Sequence, residues 1–166
     1  MASPDPTTEA TSAHLPPLGT HQRAEVGRQL QATLIELIDL SLIGKQLHWN
    51  VVGPEFRSLH LQLDELVDAW RASADTVAER AVALGESPDG QAAAVSAGSE
   101  IPPVRRGAVP DREVVRELAE RLNAVAERAR ARMDRLGELD LASQDVLIDV
   151  VRGLEQQLWM IRAQLP

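Results

Sequence analysis

The chain has 166 residues and a formal net charge of −8 at pH 7; 44% of its residues are hydrophobic, but only 2% are aromatic. It is long enough for one domain with a sizeable core, and a core of Leu, Val, Ile and Ala favours helices over sheets. The absence of cysteine excludes disulfides, thiol catalysis and zinc–thiolate sites, and the acidic balance disfavours nonspecific binding to DNA or anionic membranes.

Residues 1–19 are rich in Pro, Thr, Ser and Ala and show no periodicity, which predicts a flexible N-terminal tail. They lack the basic segment and apolar run of a signal peptide. No apolar stretch of the chain reaches the roughly 18 residues of a membrane span. We therefore expect a cytoplasmic protein with one folded domain over residues 20–166.

Two long helices are predicted after the tail. Thr20 can cap the first, which runs to about Val51 and is apolar on more than one face, as expected of a helix buried on two sides. A Gly-Pro break follows, and Pro54 suits the first turn of a second helix. That helix runs to about Leu84, where Gly85 provides a C-cap.

A long connection and two further helices complete the prediction. Residues 86–110 are rich in Ser, Gly, Ala and Pro, with a short helix expected at "QAAAVSA". Asp111 can cap a third helix, and the turn "GELD" leads to a fourth. The connection can extend about 80 Å and the second helix spans only about 45 Å, so the chain can return along the bundle and make helices two and three parallel. The predicted fold is all-α: a ferritin-like four-helix bundle with a long crossover connection that carries a short helix.

Histidine and acidic residues follow one edge of the apolar stripe on the second helix. At about 100° per residue, His60, Asp64, Asp75 and Glu79 fall on this edge. The stripe itself is expected to face the core and contains Leu59, Leu63, Leu66, Trp70, Val77, Ala81 and Leu84. Asp64 and Asp75 lie about 16 Å apart along the helix axis, which is too far for one chain to hold a single metal ion with both.

A second copy of the chain can complete a metal site. If two copies of the second helix pack antiparallel across a two-fold axis, His60 and Asp64 of one chain meet Asp75 and Glu79 of the other. His48 lies as far before the Gly-Pro turn as His60 lies after it, so the two histidines stand level in the hairpin. A mixture of imidazole and carboxylate ligands suits iron better than calcium.

Other interpretations of the same residues stay open at this point. An acidic pair four residues apart is commonly a solvated helix face, and a histidine beside a core is commonly a hydrogen-bonded core residue rather than a ligand. The geometry alone leaves a metal site and these alternatives equally open.

The stretch "KQLHWNVVGPEFRSLHLQLDELVDAWRASADTVAERAVALGESPDG" resembles the Dps family of mini-ferritins (DNA-binding proteins from starved cells). It carries the family's His-Trp-Asn, His-x₃-Asp and Asp-x₃-Glu-Arg patterns, and the likeness extends across residues 20–165. The Glu-x-x-His motif of larger ferritins is absent, because Arg57 and Lys45 stand three positions before the two histidines.

The resemblance implies both a ligand set and an activity. The implied metal ligands are His48, His60 and Asp64 of one subunit with Asp75 and Glu79 of its two-fold mate, and no catalytic residue is implied beyond them. The implied activity is that of a dodecameric, homo-oligomeric ferroxidase. Fe²⁺, bound singly or as a di-iron pair at the inter-subunit site, is oxidised by hydrogen peroxide, and ferric oxide is stored inside, which protects the cell from oxidative damage.

Further residues match the family more loosely. Trp49 resembles the family's tryptophan beside the metal centre, although a packing role fits it equally. Glu138, Asp140 and Asp145 fall where the family builds acidic pores, although acidic residues are also ordinary at the start of a helix.

DNA binding is expected to be weak or absent. The tail has no lysine, and the arginines of "ERARARMDR" are interleaved with Glu and Asp, which predicts a salt-bridged surface. Two alternative functions remain. One is a non-catalytic, nucleoid-associated or protective structural shell with a weak metal site; the other is a monomeric helical bundle whose acidic stripes hold nothing.

Overall fold

The computed structural model describes residues 15–165. Its elements are α1 (Thr20–Asn50), β1 (Val51–Val52), α2 (Phe56–Ala83), α3 (Ala92–Gly98), β2 (Val109–Pro110), α4 (Asp111–Gly137) and α5 (Leu141–Arg162). This all-α architecture confirms the four long helices and the short helix in the connection. None of the described helices is long and apolar enough to cross a membrane. Residues 1–14 of the predicted tail lie outside the described range, and Leu18 packs against the core.

Cross-helix contacts give the direction of each long helix. Contacts between α1 and α2 join residues near the end of α1 to residues near the start of α2. Contacts between α4 and α5 likewise join later residues of one helix to earlier residues of the other, so both hairpins are antiparallel. The pairs Trp70–Gln157 and Arg80–Ser143 make α2 antiparallel to α5 in the same way. Two helices antiparallel to a common neighbour run parallel, so α2 and α4 are parallel. The connection is therefore a crossover, as the chain lengths predict.

The core lies between the apolar faces of the four long helices. Every residue of the stripe predicted on the second helix is buried, from Leu59 to Leu84. Trp70, at the middle of α2, is only 1% exposed, and its indole N–H donates to Gln157 Oε1 at 2.7 Å. Helix α1 is buried on more than one face, as predicted, and even contains the buried carboxylate of Glu36.

The helix starts differ from the prediction in three places. Gly19 holds the N-cap position of α1 and Thr20 is its first residue, without a side-chain cap. Helix α2 begins at Phe56 rather than in the turn at Pro54. Pro110 holds the cap position of α4, and the carboxylate of Asp111 is used elsewhere.

That carboxylate ties two distant parts of the chain together. Asp111 is buried and accepts hydrogen bonds from the backbone N–H of Glu55 and of Arg112, both at 2.8 Å. Beside it, the ends of the crossover and of α1 form an unpredicted two-stranded parallel ribbon that pairs Val51 with Val109. Gly53 passes under the carboxylate with φ +135°, where a side chain would meet Asp111. The turn between α1 and α2 is thus fixed by the start of α4.

The arginines of the stretch "ERARARMDR" on α4 are salt-bridged, as predicted, but their partners lie on other helices. Arg128 and Arg132 both bind the buried Glu36 of α1. Arg130 binds Glu155 of α5. These pairs join helices across the bundle instead of neighbours within α4.

Candidate metal centre

Three of the five predicted ligands come together at one end of the first hairpin. His48 lies in the last turn of α1, and His60 and Asp64 lie in the second and third turns of α2. Each offers a ligand atom, and these atoms lie within 4.8 Å of one another. His48 is buried, while His60 and Asp64 are half-buried, so the group opens to the surface on one side.

The two histidines hold each other in place. Their rings are stacked with centroids 3.6 Å apart and an interplanar angle of 21°. His48 Nδ1 lies 2.9 Å from the carbonyl oxygen of His60, and His60 Nδ1 lies 3.0 Å from the carbonyl oxygen of His48. A carbonyl oxygen only accepts, so the network assigns the proton of each neutral ring to Nδ1. Each Nε2 then keeps its lone pair for a metal ion, which is the arrangement that orients histidine ligands.

Asp64 is held by the chain's one lysine. Lys45 Nζ donates to Asp64 Oδ1 at 2.6 Å, and the same oxygen lies 3.3 Å from His48 Nδ1. The hydrogen bond from Lys45 lowers the pKa of Asp64 below its ordinary value, although desolvation opposes the shift. Asp64 is therefore an anionic carboxylate at neutral pH.

Sequence reasoning missed Lys45, although a signal was present. Lys45 stands one turn before His48 on α1, and Asp64 stands one turn after His60 on α2. In an antiparallel hairpin that brings the two histidines level, the lysine and the carboxylate are level as well.

Asp75 and Glu79 lie further along α2 and do not join the three ligands within one chain. Both side chains are exposed, and in residues 15–165 the group around His48 is the one cluster of three ligand residues. Asp75 lines an apolar groove of about 380 Å³ between α1 and α2. Its apolar wall is formed by Leu34, Ile38, Leu42, Ala74 and Ala78. The role of Asp75 and Glu79 as ligands from a second subunit stays a prediction.

The residues that loosely match the family have separate environments. Trp49 is 68% exposed beside His48, and Glu138 and Asp145 are exposed. Asp140 is instead the N-cap of α5 and accepts hydrogen bonds from Ser143 N at 3.1 Å and from Arg80 at 2.6 Å. Burial raises the pKa of Asp140, but the hydrogen bonds from Ser143 and Arg80 outweigh it and leave the pKa below its ordinary value. Asp140 therefore joins α5 to α2.

A four-helix bundle with this crossover and a histidine–carboxylate cluster defines a protein of the ferritin-like class, and the family model described as Ferritin-like domain matches residues 28–166. The chain is 38% identical to the DNA protection during starvation protein of Mycolicibacterium smegmatis, over 93% of this chain and 85% of that protein. It is 34% identical to DNA protection during starvation protein 2 of Deinococcus radiodurans, over 99% of this chain and 67% of that protein. The tetragonal-form structure of Mycobacterium smegmatis Dps matches with a TM-score of 0.88 and 36% identity, over 92% of each chain. The chain belongs to the Dps family of mini-ferritins.

Proposed function

We propose that this protein is an iron-oxidising and iron-storing mini-ferritin. It takes Fe²⁺ as substrate at a site shared by two subunits, oxidises it with hydrogen peroxide and retains the ferric oxide. The observation that carries the proposal is the cluster of His48, His60 and Asp64, in which each imidazole Nδ1 lies against a backbone carbonyl oxygen and the pKa of Asp64 is lowered. Membership of the Dps family supports it, as do relatives named for protecting DNA during starvation.

A site shared by two subunits supplies the additional carboxylates that the cluster of one chain lacks. The cluster offers a single carboxylate, and carboxylates favour Fe³⁺, the product of the oxidation, while imidazole retains affinity for Fe²⁺. The exposed Asp75 and Glu79 stand one turn apart on α2, beside the apolar groove. Leu42 in the wall of that groove is 55% exposed. A second copy packed there across a two-fold axis covers the apolar wall and adds two carboxylates to each cluster.

The chemistry requires two electrons for each peroxide. Two Fe²⁺ ions and one H₂O₂, with two protons, yield two Fe³⁺ ions and two molecules of water. Delivery of both electrons at one site avoids the one-electron product, hydroxyl radical. The protein's part is to bind and orient: His48 and His60 hold Fe²⁺ through fixed rings, and the carboxylates balance the charge gained on oxidation.

Assembly and location belong to the same proposal. We expect a dodecameric homo-oligomer in the cytoplasm, whose mass by light scattering is close to twelve times 18.1 kDa. A mass of one chain would instead support a monomeric bundle.

A protective shell that acts by covering DNA is the second candidate, because the relatives' names favour it. The charges of this chain disfavour it. The net charge is −8, and Arg128, Arg130 and Arg132 are already paired with glutamates. Retention of supercoiled plasmid by sub-micromolar protein at physiological salt would instead favour the DNA-covering shell over the iron-oxidising cage.

Subunit mixing tests the shared site directly. Asp64→Asn and Glu79→Gln should each slow peroxide-dependent Fe²⁺ oxidation at least about tenfold, because each removes a charged ligand. Asp149→Asn, which alters an exposed carboxylate on α5, is the matched control and should leave the rate unchanged. Co-assembly of equal amounts of the two inactive variants should restore about a quarter of the wild-type sites, since half of the random dimers contain one intact site of their two.

Two results would contradict the proposal. Full oxidation in both variants would mean that the cluster is not the ferroxidase site. Inactive variants that fail to complement each other would mean that the ligands act within one chain.

A further inference from the structure

A lysine balances the one carboxylate of the cluster within a single chain. Asp64 contributes one negative charge, and the ammonium of Lys45, at 2.6 Å, contributes one positive charge. The carboxylate charge that would attract a divalent cation is thus already compensated. The ammonium of Lys45 is also held beside Asp64, because the lysine side chain is only 23% exposed and α1 places it one turn from His48.

We propose that Lys45 is a specificity-determining residue that makes metal binding depend on subunit assembly. The inference rests on the proposed function. In one chain the ammonium is paired with Asp64 Oδ1 and competes with a metal ion for this carboxylate. In a two-fold dimer the partner's Asp75 and the partner's Glu79 add two negative charges to the site. They also offer the ammonium other acceptors, so that Asp64 is released to the metal.

The electrostatics explain why the lysine controls the site. A divalent cation next to Asp64 in one chain lies within a few ångströms of the ammonium, and the repulsion between the two offsets the attraction to the single carboxylate. Two added carboxylates reverse the balance. The consequence is that Fe²⁺ is bound and oxidised only on assembled subunits, where the ferric product is enclosed.

Zn²⁺ binding to full-length variants tests the inference without a redox reaction. In the double variant Asp75→Asn/Glu79→Gln, with Lys45 retained, Zn²⁺ binding by calorimetry should be strongly weakened. Addition of Lys45→Gln to this background should restore affinity at least about tenfold, because the competing cation is gone. Addition of Lys45→Arg should restore nothing, because arginine keeps the charge. Asp64→Asn in the rescued variant should abolish the gain, which assigns the ion to this site. Circular dichroism and light scattering check that each variant keeps its helices and mass.

The outcomes separate the inference from the function on which it rests. If the double variant loses Zn²⁺ and Lys45→Gln does not rescue it, or Lys45→Arg rescues it equally, the inference is wrong while the shared site stands. If the double variant binds Zn²⁺ as the wild type does, while Asp64→Asn removes binding, both the shared site and the inference are wrong.

Discussion

Glu36 of α1 is a buried carboxylate that joins two arginines of α4. The Glu36 side chain is 2% exposed and binds Arg128 through one carboxylate oxygen and Arg132 through the other, the latter at 2.6 Å. Substitution Glu36→Gln keeps the volume but removes the charge. It leaves two arginines, 25% and 13% exposed, without a counter-ion.

The expected loss can be derived from these contacts. A hydrogen bond to a charged group contributes about 1.5–3 kcal/mol, and partial exposure of the arginines places each bond at the lower end. Glutamine retains one acceptor, so the net loss in the free energy of unfolding is about 2–3 kcal/mol. For a chain of this size that corresponds to a decrease in Tm of roughly 5–10 °C.

Urea unfolding at neutral pH, followed by far-UV circular dichroism, measures this loss. The control is Asp149→Asn, which breaks the pair with Arg152 where the two side chains are 67% and 74% exposed. An exposed pair contributes little, so the control should cost under about 0.5 kcal/mol. If Glu36→Gln falls within 1 kcal/mol of the control, a stabilising role for the buried cluster is refuted.

Two further predictions concern the turns that fix the hairpins. Gly53→Ala should lower the free energy of unfolding by at least about 2 kcal/mol, because the new Cβ meets Asp111 and the backbone φ is +135°. The control is Gly153→Ala in α5, where a new Cβ has nothing within 4 Å. It should be neutral or stabilising by about 0.5–1 kcal/mol. Equal thermal shifts in the two variants would contradict this. Asp140 has a folded-state pKa below its ordinary value, so its contribution to stability is present above about pH 4 and is lost as the pH falls through the folded pKa. The stability difference between pH 7 and pH 3 should therefore be smaller in Asp140→Asn than in the wild type, and an unchanged difference in urea titrations would show that the Arg80 and Ser143 contacts do not shift the pKa.

The elements of the bundle were predictable because their signals are local. Apolar spacing of three and four residues marked the buried face of α2, and every residue of that predicted stripe is buried. Gly85, with φ +80°, ends the second helix as expected of a C-cap glycine. The crossover followed from lengths alone, since a connection of that length reaches along the bundle whereas the short turns do not.

The missed features join residues that are far apart in sequence. The ribbon between Val51 and Val109 has two residues in each strand, too few to show a period. Asp111 had the residue type and position of a cap, yet its carboxylate reaches Glu55 on the other side of the crossover. Glu36 and Arg132 are also far apart in the sequence although they are in contact, and no local pattern marks a buried glutamate in an apolar helix.

The candidate site was predictable in its ligands but not in its charge. The level positions of His48 and His60 and the spacing to Asp64 follow from hairpin symmetry. The pairing of Asp64 with Lys45 depends on where one long side chain comes to rest, which a helical wheel does not give.

The reciprocal hydrogen bonds of His48 and His60 pass through the backbone and not through the facing ring. Each imidazole Nδ1 lies against the backbone carbonyl oxygen of the other residue. Substitution of one histidine therefore removes the ring stacking but leaves the carbonyl oxygen that orients the remaining ring. A redesign of this site for a different metal can replace one histidine at a time, because the main chain holds the other in place.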